Sequence, residues 1–218
     1  MFNQFKKLLS IPSIYHYARQ ILLLGMPLRK WAEIGNYYVE NERIADLGCG
    51  PSDILRYIDQ QQKPAFYLGV DVAERYLKRG EELAKNKQIN SQFIHIDLGL
   101  LNDNHVVRDE LIRTLNTYQI TTVNLFGVLH HIDDPSVMIT LNLVFNIPSV
   151  KHVNTQDVLM IENNRINNFY SSLDRGHYIR TEKQYDELIK KTNWLNIDKK
   201  WTKAGMSKVK YIHYQLSK

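Results

Sequence analysis

The residues with the most chemistry to offer form one short run, Asp46-Leu47-Gly48-Cys49-Gly50-Pro51-Ser52-Asp53, followed further on by Asp71 and Asp97. Gly48 and Gly50 let the backbone turn sharply and approach a ligand with no Cβ in the way. A nicotinamide dinucleotide site asks for G-x-G-x-x-G. Here Asp53 holds the third glycine position and Asp46 stands two residues before the first. A carboxylate beside a pyrophosphate is repelled, whereas one beside a cationic amino-acid group is attracted. The charge pattern therefore favours a ligand that carries positive charge. Asp71 comes 21 residues after Gly50, at the end of the apolar run 65–72. A carboxylate there can accept both hydroxyls of a ribose. Asp97 ends the run 93–97 and can accept from an adenine amino group.

These residues need a scaffold that brings their strand tips to one edge. Residues 43–47 read as a strand running into the glycine loop, with Pro51 and Asp53 in the first turn of a following helix that offers free N–H groups and a partial positive charge. Residues 65–72, 93–97, 120–129 and 157–164 read as further strands. Between them lie helical patterns through Ala73, Tyr76, Leu77, Gly80 and Ala84, through Val107, Leu111 and Leu115, and through Val137, Met138, Leu141 and Phe145 behind an Asp134-Pro135 cap. Thr181 and Gln184 have the spacing of a capping box. The last two apolar stretches, 196–205 and 208–217, read as a hairpin. Alternation of strand and helix predicts a mostly parallel sheet covered on both faces, with one antiparallel C-terminal strand. Residues 1–40, interrupted by Pro12 and Pro27, read as an N-terminal helical cap on a single unit spanning 41–218.

Composition narrows the classes. No apolar run among the 218 residues reaches membrane-spanning length, and the N-terminus lacks the pattern of a secretory signal. A single cysteine, Cys49, rules out an internal disulfide and a Cys-based metal cluster, and fits a reducing cytoplasm. The histidines are scattered apart from the pair His130-His131, so no metal site is expected. The net charge of +5, with lysines gathered near the C-terminus, reads as a solvated face. It lacks the aromatic-interleaved basic repeat of a nucleic-acid binder.

The stretches IADLGCGPS, YLGVDVA, FIHIDL and VNLFGVLHHIDD, in that order over residues 43–135, resemble the class I S-adenosylmethionine-dependent methyltransferases. The resemblance implies a Rossmann-like seven-stranded α/β sheet with S-adenosylmethionine as cofactor and S-adenosylhomocysteine as product. It implies that Asp46, Gly48, Cys49 and Gly50 surround the methionine part and that Asp71, with Val72, holds the ribose. Asp97 and Leu98 would lie by the adenine, and the Phe126 carbonyl would face the amino group with Gly127 beside it. Ser52 stands where many members carry glycine.

Methyl transfer needs an aligned nucleophile and, for an amine or phenol, a base. His130 and His131 follow the fourth strand and are the candidates for that role. Arg175, His177, Tyr178 and Arg180 form a polar cluster after the fifth strand that suits an acceptor site, the arginines clamping a carboxylate or phosphate. Tyr15 is a candidate lid residue. The short chain and helical cap favour O- or N-methylation of a small molecule by a monomer or homodimer. Two other readings remain open: an RNA or protein methyltransferase using the basic surface, and a non-catalytic S-adenosylmethionine-binding protein.

Overall fold

A computed structural model describes residues 41–58, 63–172, 176–204 and 209–218. The predicted helical cap and Tyr15 lie outside the described residues, as does Arg175. Strands β1 (Arg43–Leu47), β2 (Phe66–Asp71), β3 (Ser91–His95), β4 (Thr122–Phe126), β5 (His152–Met160), β6 (Arg180–Thr181), β7 (Asn196–Ala204) and β8 (Val209–Ser217) form one sheet. Its main path runs β3-β2-β1-β4-β5-β8-β7, and the two-residue β6 pairs with β5. The seven strands of the path match the expected number. All pairings from β3 across to β5 are parallel. β8 runs antiparallel to both β5 and β7, so it is the single reversed strand of the path.

The helices α1 (Glu74–Asn86), α2 (His105–Thr117), α3 (Asp134–Phe145), α4 (Arg165–Ser172) and α5 (Glu182–Lys190) connect the strands. Apolar spacing decides which face each one covers. Leu111 and Leu115 of α2, Val137 and Leu141 of α3, and Tyr185, Leu188 and Ile189 of α5 join Ala45, Leu47, Val123, Leu125 and Val153 in the larger core. The opposite face has a smaller core, where Leu77, Leu83 and Ala84 of α1 meet Tyr67, Phe93 and Phe126. Side chains alternate along each strand, so one strand feeds both cores.

Helix ends follow the sequence signals closely. Asn104 caps α2 by accepting from Val106 and Val107 N–H. The capping box of α5 is present, with Thr181 and Gln184 bonded reciprocally. At α3 the cap is one residue earlier than expected: Asp133 accepts the Ser136 N–H at 2.9 Å, and Asp134 is already helical. Hydrogen bonding by Ser136, through its side chain first and its N–H second, holds the Asp133 carboxyl below its ordinary pKa.

Three local expectations change. The glycine loop leads into a short 3-10 turn, Asp53–Tyr57, whose preceding residue Ser52 has φ 51°, so the described chain has no α-helix N-terminus there. The strand expected at 157–164 begins at His152 and ends at Met160, because Asn154, Thr155, Gln156 and Asp157 are polar and yet buried. The α4 helix is unforeseen. It is held by Asn168, whose side chain bonds both the N–H and the carbonyl of Ile161, and by Asn167, which donates to the Leu159 carbonyl at 2.7 Å.

Candidate cofactor site

The chain's order along the sheet reverses at β1, which is flanked by β2 on one side and β4 on the other. Loops leaving such a switch point diverge and leave a crevice at the carboxyl ends of the strands. A cavity of about 450 Å³ lies there. The end of β1 contributes Asp46, Gly48, Cys49 and Gly50, and the 3-10 turn adds Asp53 and Ile54. The end of β2 contributes Asp71, Val72, Ala73 and Tyr76, and the end of β3 contributes Ile96 to Gly99. From β4 come Phe126, Gly127, Val128, His131 and Ile132, and His177 completes the wall.

The loop geometry follows from its small residues. Gly48 (φ 78°) and Gly127 (φ 71°) adopt the left-handed region that favours glycine. A Cβ on Gly48 would lie 2.5 Å from Val128 Cγ2, so the loop after β1 and the loop after β4 touch through a missing side chain. The turn is fastened to β2 by the Gly48 and Cys49 N–H groups, which both donate to the Val70 carbonyl. Gly50 N–H donates to Asp71 Oδ2 at 2.8 Å, and Ala73 N–H donates to Asp71 Oδ1 at the same distance.

Each carboxylate is fixed differently. Asp46 is almost fully buried and accepts the Tyr67 hydroxyl at 2.7 Å. Asp53 accepts the Arg56 guanidinium at 2.9 Å. Asp97 accepts the Gly99 N–H at 2.9 Å and turns the chain toward Leu98. Four carboxylates line the cavity, and no lysine or arginine does among its described lining residues. That donor set repels a pyrophosphate and suits a cation with hydroxyls and an amino group. Burial, together with Asp46 and Asp71, pushes the Cys49 thiol well above its ordinary pKa, so it remains a neutral, poorly nucleophilic thiol.

All ten residues expected at the cofactor line this cavity: Asp46, Gly48, Cys49, Gly50, Asp71, Val72, Asp97, Leu98, Phe126 and Gly127. The two histidines of the pair separate. His131 lines the cavity, whereas His130 is buried behind it with Nδ1 2.6 Å from Asp157 Oδ1. Asp157 also accepts the His130 backbone N–H at 3.2 Å. Burial raises the pKa of Asp157, and His130 works against that rise. The partnership spans 27 residues and has no local sequence signal.

The acceptor cluster also divides. His177 reaches the cavity, and Tyr178 is exposed and is not part of its wall. Arg180 is buried, and its guanidinium is engaged on every side. Nε and Nη2 donate to Asp134 Oδ1, Nη2 also donates to the Ile132 carbonyl, and Nη1 donates to the carbonyls of Leu129 and Tyr178. All five N–H donors of a guanidinium are thereby used. Arg180 therefore holds the loop after β4 and lacks a free donor for an anionic acceptor. Burial sets Arg180 apart from the exposed His177 and Tyr178, and residue types alone do not carry it.

No protein-family model matches the chain, and no curated protein matches it by sequence. Solved structures do. A SAM-dependent methyltransferase from Archaeoglobus fulgidus superposes with a TM-score of 0.64 at 11% identity, over 88% of this chain and 93% of that one. Magnesium protoporphyrin IX methyltransferase from Synechocystis PCC 6803, with bound SAH, gives 0.58 at 13% identity, over 88% and 80%. The [4+2]-cyclase SpnF gives 0.61 at 12% identity, over 87% and 80%. The chain has the class I S-adenosylmethionine-dependent methyltransferase fold. Among the described residues no helix is long and apolar enough to cross a membrane, and no group of three or more His, Cys, Asp or Glu could hold a metal ion.

Proposed function

We propose that the protein is an S-adenosylmethionine-dependent methyltransferase acting on a small-molecule acceptor, with transfer to oxygen or nitrogen. The observation that supports it most is the cavity wall at the switch point: a glycine-built turn and four carboxylates with no lysine or arginine among the described lining residues. The neighbouring magnesium protoporphyrin IX methyltransferase, with its bound SAH, agrees with this cofactor and with a small acceptor.

The residues fit the group in type. Asp71, a carboxylate on the cavity wall at the tip of β2, suits a ribose diol by type. Asp46 and the loop Gly48–Gly50 suit the cationic amino-acid end. Asp97, Leu98 and Ile96 give an apolar slot with one acceptor at its rim, which suits adenine. S-adenosylmethionine, when bound, supplies a methyl group on a sulfonium whose loss leaves a neutral thioether, so no acid is needed for the leaving group.

What the chain must do is orient the acceptor and take its proton. His131 and His177 line the same cavity, and each brings an imidazole nitrogen to it that could take a proton from an acceptor. His130 has a different part: its bond to Asp157 holds the backbone from which His131 projects. A cytoplasmic location belongs to this reading and accords with the lone thiol.

The basic face does not favour a nucleic-acid acceptor. Lys199 is paired with Glu182 and Asp186, and Lys200 with Asp198, so acidic partners already answer both charges. The [4+2]-cyclase among the structural neighbours shows that fold alone does not settle the chemistry. The test is therefore calorimetry with S-adenosylmethionine, S-adenosylhomocysteine and NAD, followed by a metabolite screen for transfer of labelled methyl. Binding of the first two and labelled product are expected. Binding of NAD alone overturns the reading, and binding of the sulfonium compound without transfer to any metabolite moves it to a non-catalytic binding protein.

A further inference from the structure

The register of the first three strands leaves Asp46 facing a residue without a side chain. Its partner on β2 is Gly69, and Gly69 in turn pairs with Phe93 of β3. The Phe93 ring fills that space, since a Cβ on Gly69, or on Gly80 of α1, would overlap it. Tyr67 stands two residues before Gly69, on the same face of β2. That is the diagonal position to Asp46, a span within reach of a long aromatic side chain. Tyr67 makes the span: its hydroxyl donates to Asp46 Oδ2 at 2.7 Å and lies 3.2 Å from Ser52 Oγ. The rings of Tyr67 and Phe93 pack with centroids 5.8 Å apart.

Tyr67 and Ser52 are 1% exposed and Asp46 2%, yet Asp46 is part of the cavity wall. A phenol carries one proton and a carboxylate only accepts, so that proton goes to Asp46. A bond donated to a buried carboxylate offsets part of the cost of burying its charge and fixes the direction of the group. Phenylalanine would fill the same space in the smaller core beside Leu77 and Phe93, so packing alone does not ask for the hydroxyl.

We infer that Tyr67 is a positioning residue for the cofactor: its hydroxyl sets Asp46 at the cavity wall, so that the chain selects its ligand by a cationic ammonium at the amino-acid end. This rests on the methyltransferase reading for the identity of the ligand. Tyr67 is not among the described lining residues, so it acts through Asp46. Without the phenol the carboxylate keeps its charge and loses its setting. What weakens is the grip on the ammonium, and not the nucleoside side of the cavity, where Asp71, Asp97 and Leu98 stand at the tips of β2 and β3.

The experiment uses the full chain and two probes that differ by one group: S-adenosylhomocysteine and its deamino analogue, in which hydrogen replaces the ammonium. Calorimetry gives both affinities, by displacement of S-adenosylhomocysteine where the analogue binds weakly. The native chain is expected to prefer S-adenosylhomocysteine at least about tenfold, the scale of one charge-assisted bond. Tyr67→Phe is expected to cut that preference at least about fivefold by weakening S-adenosylhomocysteine, while the analogue stays within about twofold. A hydroxyl with a merely structural part would weaken both probes alike. Ser52→Gly is the second variant. It removes the hydroxyl beside the phenol, suits the left-handed φ of 51°, and should lower the preference about twofold or more with the melting temperature held or raised. The inference is overturned if the native chain binds the two probes alike, if Tyr67→Phe keeps the native preference, or if it weakens both equally. Should Tyr67→Phe not fold, Ser52→Gly decides, and a preference equal to the native one overturns the inference. A native chain that binds both probes alike loses the inference and keeps the methyl-transfer reading; one that binds neither loses both.

Discussion

Asp71 ties the end of β2 to the glycine turn after β1, accepting the Gly50 N–H at 2.8 Å with one oxygen while the other accepts the Ala73 N–H. One carboxylate thus shapes the loop and lines the cavity. Asp71→Asn puts an NH₂ group against one of two backbone donors and removes the charge. Charge-assisted bonds to backbone N–H are worth about 1.5–3 kcal/mol. The expected outcome is at least about tenfold weaker binding of S-adenosylhomocysteine by calorimetry, with the chain still folded by circular dichroism. Unchanged affinity would remove Asp71 from the site.

Arg180 joins β6 to the loop after β4 through Leu129, Ile132 and Asp134. Tyr178 N–H adds a bond to the His130 carbonyl at 2.9 Å, and a Cβ on Gly176 would lie only 2.1 Å from the His130 ring. These contacts hold His177 and His131 on one wall. Arg180→Ala leaves two carbonyls of that loop without their donors, a loss of roughly 2–4 kcal/mol. Urea unfolding should show it, and turnover should fall through kcat as well as KM. Lysine cannot reproduce the fork, so Arg180→Lys should rescue neither. A variant of native stability with only KM altered would return Arg180 to direct acceptor binding.

Gly48 meets Val128 where the first and fourth strand loops cross. Its φ of 78° costs a residue with a Cβ about 1–2 kcal/mol, and the 2.5 Å approach to Val128 Cγ2 adds a clash. Gly48→Ala should lower both stability and S-adenosylhomocysteine affinity. The double variant Gly48→Ala/Val128→Ala should recover the part due to the clash and retain the part due to backbone strain. Equal stability of the single and double variants would show that the contact carries nothing.

The glycine-turn side of this cavity was legible in the sequence because its signals are local. Small residues between Asp46 and Asp53, and acidic residues closing apolar runs at Asp71 and Asp97, mark strand tips in any parallel sheet. The packing behind the cavity's β4 wall was not. Asn154, Thr155 and Gln156 fall before the strand read at 157–164, and it is their pairing with β4 and β8 that brings them into it. His130 finds Asp157 across 27 residues, and Arg180 finds Asp134 across 46. A short window shows residue type without exposure, so Arg180 reads as a surface clamp and is in fact a buried tie. The glycine turn also reads as the start of an α-helix, since Pro51 and Asp53 suit a first turn. The left-handed Ser52 sends the chain into a 3-10 turn.

His213 gives the fold a pH dependence of definite sign. Burial first, and Lys200 second, push its pKa from 6.5 down to about 4. The unfolded chain takes up this proton near pH 6.5 and the folded chain only near pH 4, so between those values the unfolded state binds more protons. The stability contributed is present in full above pH 6.5 and is lost as the pH falls toward 4. Its size is about 3 kcal/mol, because each tenfold loss of proton affinity on folding corresponds to about 1.36 kcal/mol. His213→Phe removes the titrating group. The stability difference between the native chain and this variant, from urea unfolding at a series of pH values, should move against the native chain by about that amount between pH 7 and pH 4. A difference that stays flat across the interval would show that His213 titrates alike in both states, and would put solvent at its ring in the folded protein.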